Sequence, residues 1–302
     1  MRLTVILFGL VFMCAAFAVA VPPQDGEDVR GAFLTSRPKE KPATSGSAAR
    51  PSRRRPKATA TPVKSTEKTT GTPVGSSSTS STGSTAKTTV VRPVNVPRLG
   101  MGLTLFSRDS NGLAVRVDPD RVFQKGDRVR LLLETNSDGY LYIFNRTNDG
   151  PPMMIYPNAE IDEGGNYLQA HVPFEIPASN AAEERLRWFA FDETTGTEKV
   201  FFVFTREPLK DVPTEDELIA FCRNNQCPWQ AGGSVWEMVQ AQAQEPLKSD
   251  RAKAFGTAQT PVEHNATTRG LGLAKDDPQP SLIMMASSTK PTLVATLDLI
   301  HK

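Results

Sequence analysis

The sequence contains three histidines, and they lie far apart along the chain, at His171, His264 and His301. A zinc site needs three or four His, Cys or carboxylate ligands at recognisable spacing, and no such spacing occurs. The motifs of nucleophile elbows, phosphate loops and zinc proteases are absent as well. We therefore expect no metal, no cofactor and no catalytic residue. Because triads assemble in space, one alternative stays open: a hydrolase site that combines His171 with Asp162 or Glu163.

Two cysteines, Cys222 and Cys227, follow the N-terminal region, and they are five residues apart. The Cys-x-x-Cys spacing of thioredoxin-like catalysts is therefore absent. In an oxidising compartment such a pair forms a structural disulfide more often than a redox centre. We predict a disulfide between Cys222 and Cys227, with free thiols and a catalytic or metal-bound pair as the alternatives.

Aromatic residues in or beside turns are the candidates for ligand binding, namely Tyr156, Trp229 and Trp236. The alternative is that these side chains cover the core. Oxygen-rich turns also occur, at residues 109–112, 118–120 and 148–150. They lack the alternating ligands of a calcium loop, so ordinary turn formation is the favoured interpretation.

The N-terminus has the pattern of a cleavable signal peptide. An apolar run at residues 3–17 leads to Ala18-Val19-Ala20, which matches the small-x-small cleavage pattern. The run is shorter than the roughly 20 residues that cross a bilayer. We predict a signal peptide at residues 1–20 and export to the periplasm or the extracellular space, with a retained membrane anchor as the alternative.

Residues 21–97 are predicted to form a disordered linker, since from about residue 37 they consist mainly of Ser, Thr, Pro, Lys, Gly and Ala. Such a composition cannot bury enough apolar surface to offset its ordering entropy. Residues 21–95 carry 13 basic and 5 acidic side chains, which suits contact with an anionic surface, and plain solvated charge is the alternative. The contact residues would be Arg53, Arg54, Arg55 and Lys57. Nucleic acid is not expected as a partner of an exported chain.

Residues 98–302 are predicted to fold as a mainly β, β-sandwich-like domain, because short apolar or alternating runs are separated by Gly, Asn, Asp and Pro. Strands are predicted near residues 101–107, 113–117, 128–135, 139–145, 153–156, 169–173, 187–192, 199–205, 270–274, 282–286 and 293–300. Within the strand at 128–135, the alternation predicts one buried face and one partly wet face. The next strand is apolar on both faces, which predicts a central position.

Two short helices are predicted as an insertion at about residues 214–244. They would cover residues 215–223 and 235–243, because Thr214 with Glu217 and Ser234 with Glu237 match the capping-box spacing. The polar turn at residues 136–139, with positive φ at its end, is predicted to close a hairpin. A second turn at residues 148–151 is predicted to close the next one.

Four pieces of sequence occur in a fixed order: Phe-Gln-Lys-Gly-Asp at 123–127, a Gly-Tyr-x-Tyr strand at 138–144, Ile-Tyr-Pro-Asn at 155–158 and Gly-Thr-Glu-Lys-Val at 196–200. Together they resemble the bacterial family called domain of unknown function 4384, over about residues 100–210. The resemblance implies an envelope or secreted protein and supplies no activity and no catalytic residue. We expect a non-catalytic binding or structural module that contacts an envelope protein or polymer, with an envelope hydrolase as the alternative.

Overall fold

The computed structural model describes residues 28–40, 53–55, 97–160, 162–224 and 226–302. The predicted signal peptide and most of the predicted linker lie outside these residues. The described part of the chain is mainly β, with two sheets and four short helices, which confirms the predicted class. No helix within these ranges is long and apolar enough to cross a membrane.

The helices are α1 (Val29–Thr35), α2 (Glu215–Arg223), α3 (Gly233–Ala243) and α4 (Pro261–Arg269). The strands are β1 (Gly100–Arg108), β2 (Ala114–Arg116), β3 (Val122–Phe123), β4 (Arg128–Thr135), β5 (Gly139–Thr147), β6 (Met153–Tyr156), β7 (Tyr167–Leu168), β8 (Phe174–Ile176), β9 (Phe189–Ala190), β10 (Gly196–Thr205), β11 (Leu247–Arg251), β12 (Leu282–Ala286) and β13 (Thr292–His301). Two 3₁₀ turns occur at Asp162–Gly164 and Glu184–Arg187.

The strands form two sheets. The first has the order β11-β12-β1-β4-β8, with β2 also paired to β1 and β9 also paired to β4. The second has the order β3-β13-β10-β5-β6, with β7 also paired to β5. The C-terminal strand β13 is therefore integral to the second sheet, since it lies between β10 and β3. This agrees with its prediction as a strand.

The main core lies between the two sheets. It joins Leu103 and Leu131 of the first sheet to Ile143, Phe202 and Ala295 of the second. Successive residues of a strand point to opposite faces, so the alternate residues of β5 leave this core. Those residues form a second core under α2 and α3, which contains Tyr140, Tyr142 and Phe144 with Leu218, Val235 and Val239. The prediction that β5 is buried on both faces is confirmed.

The outer face of the first sheet is covered by α1. Val29, Phe33 and Leu34 of this helix pack on Ile283 and Met285 of β12. Residues 28–40 were predicted to belong to the linker, and here the structure differs. The linker composition begins only near residue 37, and the short apolar run before it is enough to bury one helical face against an exposed sheet.

The outward side chains of β4 are also buried, which corrects the predicted wet face. Arg130, Leu132 and Glu134 are each less than 7% exposed. Burying a charged group is costly unless it is paired, so the sequence alternation alone indicated water. Arg130 donates to the carbonyl oxygen of Arg187 and lies over the Trp188 ring, and Glu134 is held by partners described below.

Helix capping differs from the prediction. The predicted bounds of α2 hold, but the Thr214 side chain makes no capping hydrogen bond, and α3 begins after Gly232 rather than after Ser234. The capping box of this domain is instead at α4. There Thr260 and Glu263 satisfy each other's backbone N–H groups, and Glu263 also pairs with buried Arg116.

The turn at residues 136–139 does not close a hairpin, because β4 and β5 belong to different sheets. It carries the chain from one sheet to the other. Positive φ was predicted at the end of this turn, but Asp138 and Gly139 do not adopt it. Asn148, in the following turn, does. The turn at residues 148–151 does join paired strands, β5 and β6, as predicted.

Three further predictions about strands require correction. Residues 169–173 form a turn in which His171 has a φ of 56°, residues 270–274 follow the left-handed cap of α4, and the strand at 187–192 shrinks to Phe189–Ala190. These apolar runs pack without pairing along their length. Conversely, β11 and α4 lie between residues 247 and 269, where no strand or helix was predicted.

Candidate ligand-binding cleft

A cleft of about 240 Å³ opens between the two sheets at one end of the main core. Its apolar walls come from both sheets. Leu105, Val129 and Leu131 line it from the first sheet, and Val200 and Leu299 from the second. Phe189 of the two-residue strand β9 lines one side of the cleft, where β9 and β4 pair over only two residues.

The inner face of the second sheet changes from apolar to polar toward this cleft. Strand register places Ile143 opposite Phe202, whereas Thr147 lies opposite Glu198. On the next pair of strands His301, at the end of β13, lies opposite Gly196. Side chains two residues apart share a face, so Glu198 and His301 both reach the end of the inner face. The polar mouth of the cleft is thus fixed by strand register.

Glu198 is the centre of the polar mouth. One carboxylate oxygen, Oε2, accepts hydrogen bonds from Asn145 Nδ2 at 2.6 Å and from Thr147 Oγ1 at 2.8 Å. The amide oxygen of Asn145 is buried and has no hydrogen-bond partner among the described residues. Buried acceptors without partners are rare in proteins, and a bound water or ion is one recognised way in which they are satisfied.

His301 lies at the same mouth. Its Nδ1 is 2.8 Å from the carbonyl oxygen of Thr194. A carbonyl oxygen only accepts, so Nδ1 carries a proton and, in the neutral ring, Nε2 is an acceptor. The ring packs against Phe191, with centroids 5.0 Å apart. This packing and the Thr194 bond together fix the orientation of the imidazole.

Two carboxylates, Asp192 and Glu198, line the cleft, and the part of the chain that the structure describes contributes no lysine or arginine to it. The backbone N–H of Thr194 donates to Asp192 at 2.6 Å, and this bond and the Thr194 hydroxyl lower the pKa of that carboxyl. Asp192 therefore carries negative charge at neutral pH. The mouth offers acceptors and negative charge.

The segment that builds most of this cleft is similar to a known protein family. Residues 122–208 match a family model described as "Domain of unknown function (DUF4384)". The match confirms the resemblance predicted from the four sequence pieces. It runs from β3 past the end of β10, and so contains Asn145, Thr147 and Glu198 but not His301. No curated protein and no solved structure matches this chain.

The matched segment, residues 122–208, also contributes to a second polar cluster, on the outer face of the first sheet. His171 Nδ1 lies 2.7 Å from Glu134 Oε1, and His171 Nε2 lies 2.9 Å from the Ser36 hydroxyl. Arg37 binds the same carboxylate through two hydrogen bonds, of 2.8 and 2.7 Å. We call Ser36, Arg37, Glu134 and His171 the outer-face network.

In the outer-face network, the buried charges are fully paired. Arg37 also donates to the carbonyl oxygens of Ala274, Asp277 and Pro278, so its five N–H donors all have acceptors. Burial would raise the pKa of Glu134, but hydrogen bonds from His171 and Arg37 outweigh it, and the pKa is lowered. Glu134 is thus a carboxylate whose charge is compensated by protein.

Ser36, His171 and Glu134 have the order of a serine-hydrolase triad, yet the surrounding groups suit structure better than catalysis. The Ser36 hydroxyl is 2.6 Å from the Phe33 carbonyl oxygen, to which it donates as the cap of α1. The backbone N–H groups of Ser36 and Arg37 bond the last carbonyls of the helix, and Pro38 has none. None of the backbone positions 36–38 therefore has an N–H left to stabilise an oxyanion at this hydroxyl.

The predicted hydrolase site is not assembled as expected. His171 pairs with Glu134 and Ser36, and Glu163 forms an ion pair with Arg54 instead. The side chain of Asp162 lies outside the part of the chain that the structure describes. His264 is exposed on α4. Among the described residues no group of three or more His, Cys, Asp or Glu side chains could hold a metal ion. Asp109 and Asp118, in the oxygen-rich turns, accept from local backbone N–H groups.

The three aromatic candidates cover the cores instead of standing free. Tyr156 is 1% exposed and belongs to the main core. Trp236 meets Phe201 edge to face at 4.8 Å, and Trp229 tilts against Phe144, both over the second core. These residues were chosen because they lie in or beside turns, and that position does not indicate whether neighbouring elements bury a side chain. The structure therefore gives Tyr156 no role at a surface site.

Cys222 and Cys227 lie at disulfide distance, with Cα atoms 4.8 Å apart at the end of α2, as the sequence predicted. The basic residues of the predicted anionic contact lie differently from the expectation. Arg53 is buried against the Phe174 ring, and Arg54 pairs with Glu163 and Asp216. Arg55 is exposed, and Lys57 lies outside the described residues.

The central residues of both clusters were not predicted from the sequence, namely Asn145, Glu198, Arg37 and Glu134. One signal was present for some of them. Asn145 and Thr147 continue an apolar strand on its inward face, and Glu134 directly follows the apolar run at residues 131–133 of β4. Polar residues that continue an apolar strand indicate either a site or a buried pair. Only strand register distinguishes the two.

Proposed function

We propose that this chain is a non-catalytic binding module, exported to a bacterial cell envelope, and that its ligand site is the inter-sheet cleft. The observation that carries the proposal is an apolar cleft of about 240 Å³ whose mouth contains a buried acceptor without a partner, Asn145 Oδ1. Ligand sites combine apolar walls with a few convergent polar groups. The ligand is a group small enough to enter, either free or carried by an envelope protein or polymer.

Export is the part of the proposal that rests on sequence alone. The apolar run at residues 3–17 with Ala18-Val19-Ala20 supports a signal peptide, and the DUF4384 match supports an envelope setting by resemblance. We expect the mature protein to begin at Val21. N-terminal sequencing of protein recovered from the native host tests this, and a mature chain that begins at Met1 would contradict it.

The cleft is tested directly by methyl-resolved NMR with 1-hexanol as a neutral apolar probe. We expect the signals of Leu131, Val200 and Leu299 to shift on titration, while those of Val235 and Val239 in the second core stay in place. A probe that enters only the cleft acts on the methyl groups that line it. No shift, or equal shifts in both cores, would contradict the proposal.

A matched pair of variants ties that binding to the cleft. Thr147 lines the cleft at the end of the inner face of β5, opposite Glu198, so Thr147→Trp places a large ring at the mouth. Ala182 is exposed and does not line the cleft, so Ala182→Trp is the control. We expect the first variant to abolish hexanol binding and the second to retain it.

An envelope hydrolase is the second candidate, because Ser36, His171 and Glu134 lie in the order of a triad. Ser36 is exposed, so a fluorophosphonate probe can reach its hydroxyl. Covalent labelling of the native protein that Ser36→Ala abolishes would establish an activated serine. We expect no labelling, since the hydroxyl is used as the helix cap.

A further inference from the structure

The mouth of the cleft differs from its apolar interior because it contains hydrogen-bond acceptors that have no partner among the described residues. Asn145 Oδ1 has no partner, Glu198 Oε1 makes no hydrogen bond within the described ranges, and His301 Nε2 is an acceptor in the neutral ring. A ligand that enters must bring donors to meet them, since two acceptors cannot bond each other.

The charge of the cleft mouth further limits the class of ligand that can bind there. Asp192 and Glu198 are carboxylates at the mouth, and the described part of the lining has no lysine or arginine to balance them. Hydrogen bonds to a charged partner are about twice as strong as those between neutral groups. A cationic donor is therefore favoured over a neutral one, and an anion is disfavoured.

The cleft's volume sets the size of the apolar part. A dry cavity of about 150 Å³ is large enough to bind benzene, whereas drug-sized ligands occupy about 300–1,000 Å³. At about 240 Å³, the cleft lies between these. It accommodates an apolar body on the order of six to eight carbon atoms, with its polar end at Glu198.

We propose that the cleft selects a small amine with an alkyl or aryl body over the alcohol and the carboxylate of the same size. The inference rests on the proposed function, because it assigns a ligand class to the same cleft. The apolar body packs on Leu131, Val200 and Leu299. The ammonium donates to the Glu198 carboxylate and to the amide oxygen of Asn145.

The test compares three probes that share one apolar chain: 1-hexylamine, 1-hexanol and hexanoate, titrated at pH 7 and followed by the cleft methyl signals. We expect the amine to bind about tenfold more tightly than the alcohol, as a charge-assisted hydrogen bond predicts, and hexanoate to bind more weakly than either. Equal affinities for amine and alcohol would overturn the inference while leaving the cleft as a site. If none of the three binds, the proposed function itself fails.

Glu198→Gln then assigns the selectivity to its residue. It keeps the shape and the hydrogen-bonding oxygen but removes the charge, so the tenfold preference for the amine over the alcohol should fall to near parity. Glu237→Gln, on the exposed face of α3, is the matched control and should keep the preference. Asp192→Asn, at an exposed position, serves if the first variant does not fold, and should reduce the preference in part. An unchanged preference in a folded Glu198→Gln or Asp192→Asn protein would overturn the assignment.

Discussion

The two polar clusters on either side of the first sheet differ in how their groups are satisfied. On the outer face, Arg37 uses all its donors and Glu134 is compensated by Arg37 and His171. At the cleft mouth, Glu198 is held by Asn145 and Thr147, but acceptors remain without protein partners. A cluster that is complete within the protein stabilises the fold. A cluster left incomplete beside a cavity is where a ligand can contribute.

The largest expected effect is on the outer face, from Arg37→Ala. This change leaves the buried Glu134 carboxylate without its main cation, and breaking a buried pair costs about 3–5 kcal/mol. We expect urea denaturation to show a fall in the free energy of unfolding of about that size. Arg185→Ala, which breaks an exposed pair with Glu183, is the control and should change little. A loss below about 1 kcal/mol would show that the network does not hold α1 to the sheet.

The next effect concerns acid stability. The pKa of Glu134 is lowered in the folded protein from its ordinary value of 4.5. Its contribution to the free energy of unfolding is therefore fully present above that pH. It is lost as the pH falls through the lowered pKa, because the unfolded state then binds the proton more readily. We expect stability measured between pH 5 and about 2 to fall less steeply in Glu134→Gln than in the native protein.

The control for the acid series is Glu237→Gln, whose side chain lies on the exposed face of α3. Its stability should follow the native pH dependence, displaced at most by a constant. Parallel curves for the native protein and Glu134→Gln would show that the outer-face carboxylate is not selectively stabilised in its charged form.

The smallest effect on stability is expected at the cleft, from Asn145→Ala. The variant loses one hydrogen bond to Glu198 but also removes a buried acceptor without a partner. These two changes oppose each other, so we expect a stability change within about 1 kcal/mol. Hexylamine binding should weaken clearly in the same variant. A large loss of stability with unchanged binding would reverse the comparison between the two clusters.

Much of the fold could be predicted from the sequence, because periodicity is local. The bounds of β4, β6, α2 and β12 follow directly from alternation, short apolar runs and helix patterning. The helix α1 and the strand β11 were missed, since each is short and depends on the sheet that it packs against. The hairpin expected at residues 136–139 was wrong because a turn's composition does not report which sheet receives the next strand.

Neither cluster could be predicted in the same way. Glu198 and His301 line the same cleft mouth because β10 pairs with β13, and they are 103 positions apart in the numbering. Arg37 reaches Glu134 across 97 residues. Such partners are set by strand register and by burial, which local patterns do not encode. Polar residues that continue apolar strands were the one signal available.

The most direct test of the central claim compares one variant from each cluster for function in the native host. In a strain that lacks the gene, Thr147→Trp and Ser36→Ala proteins are expressed to equal levels, and both are checked for cooperative melting. If the cleft is the functional site, Ser36→Ala restores the native phenotype and Thr147→Trp does not. A folded Thr147→Trp protein that restores the phenotype, or a folded Ser36→Ala protein that fails to, would contradict the account.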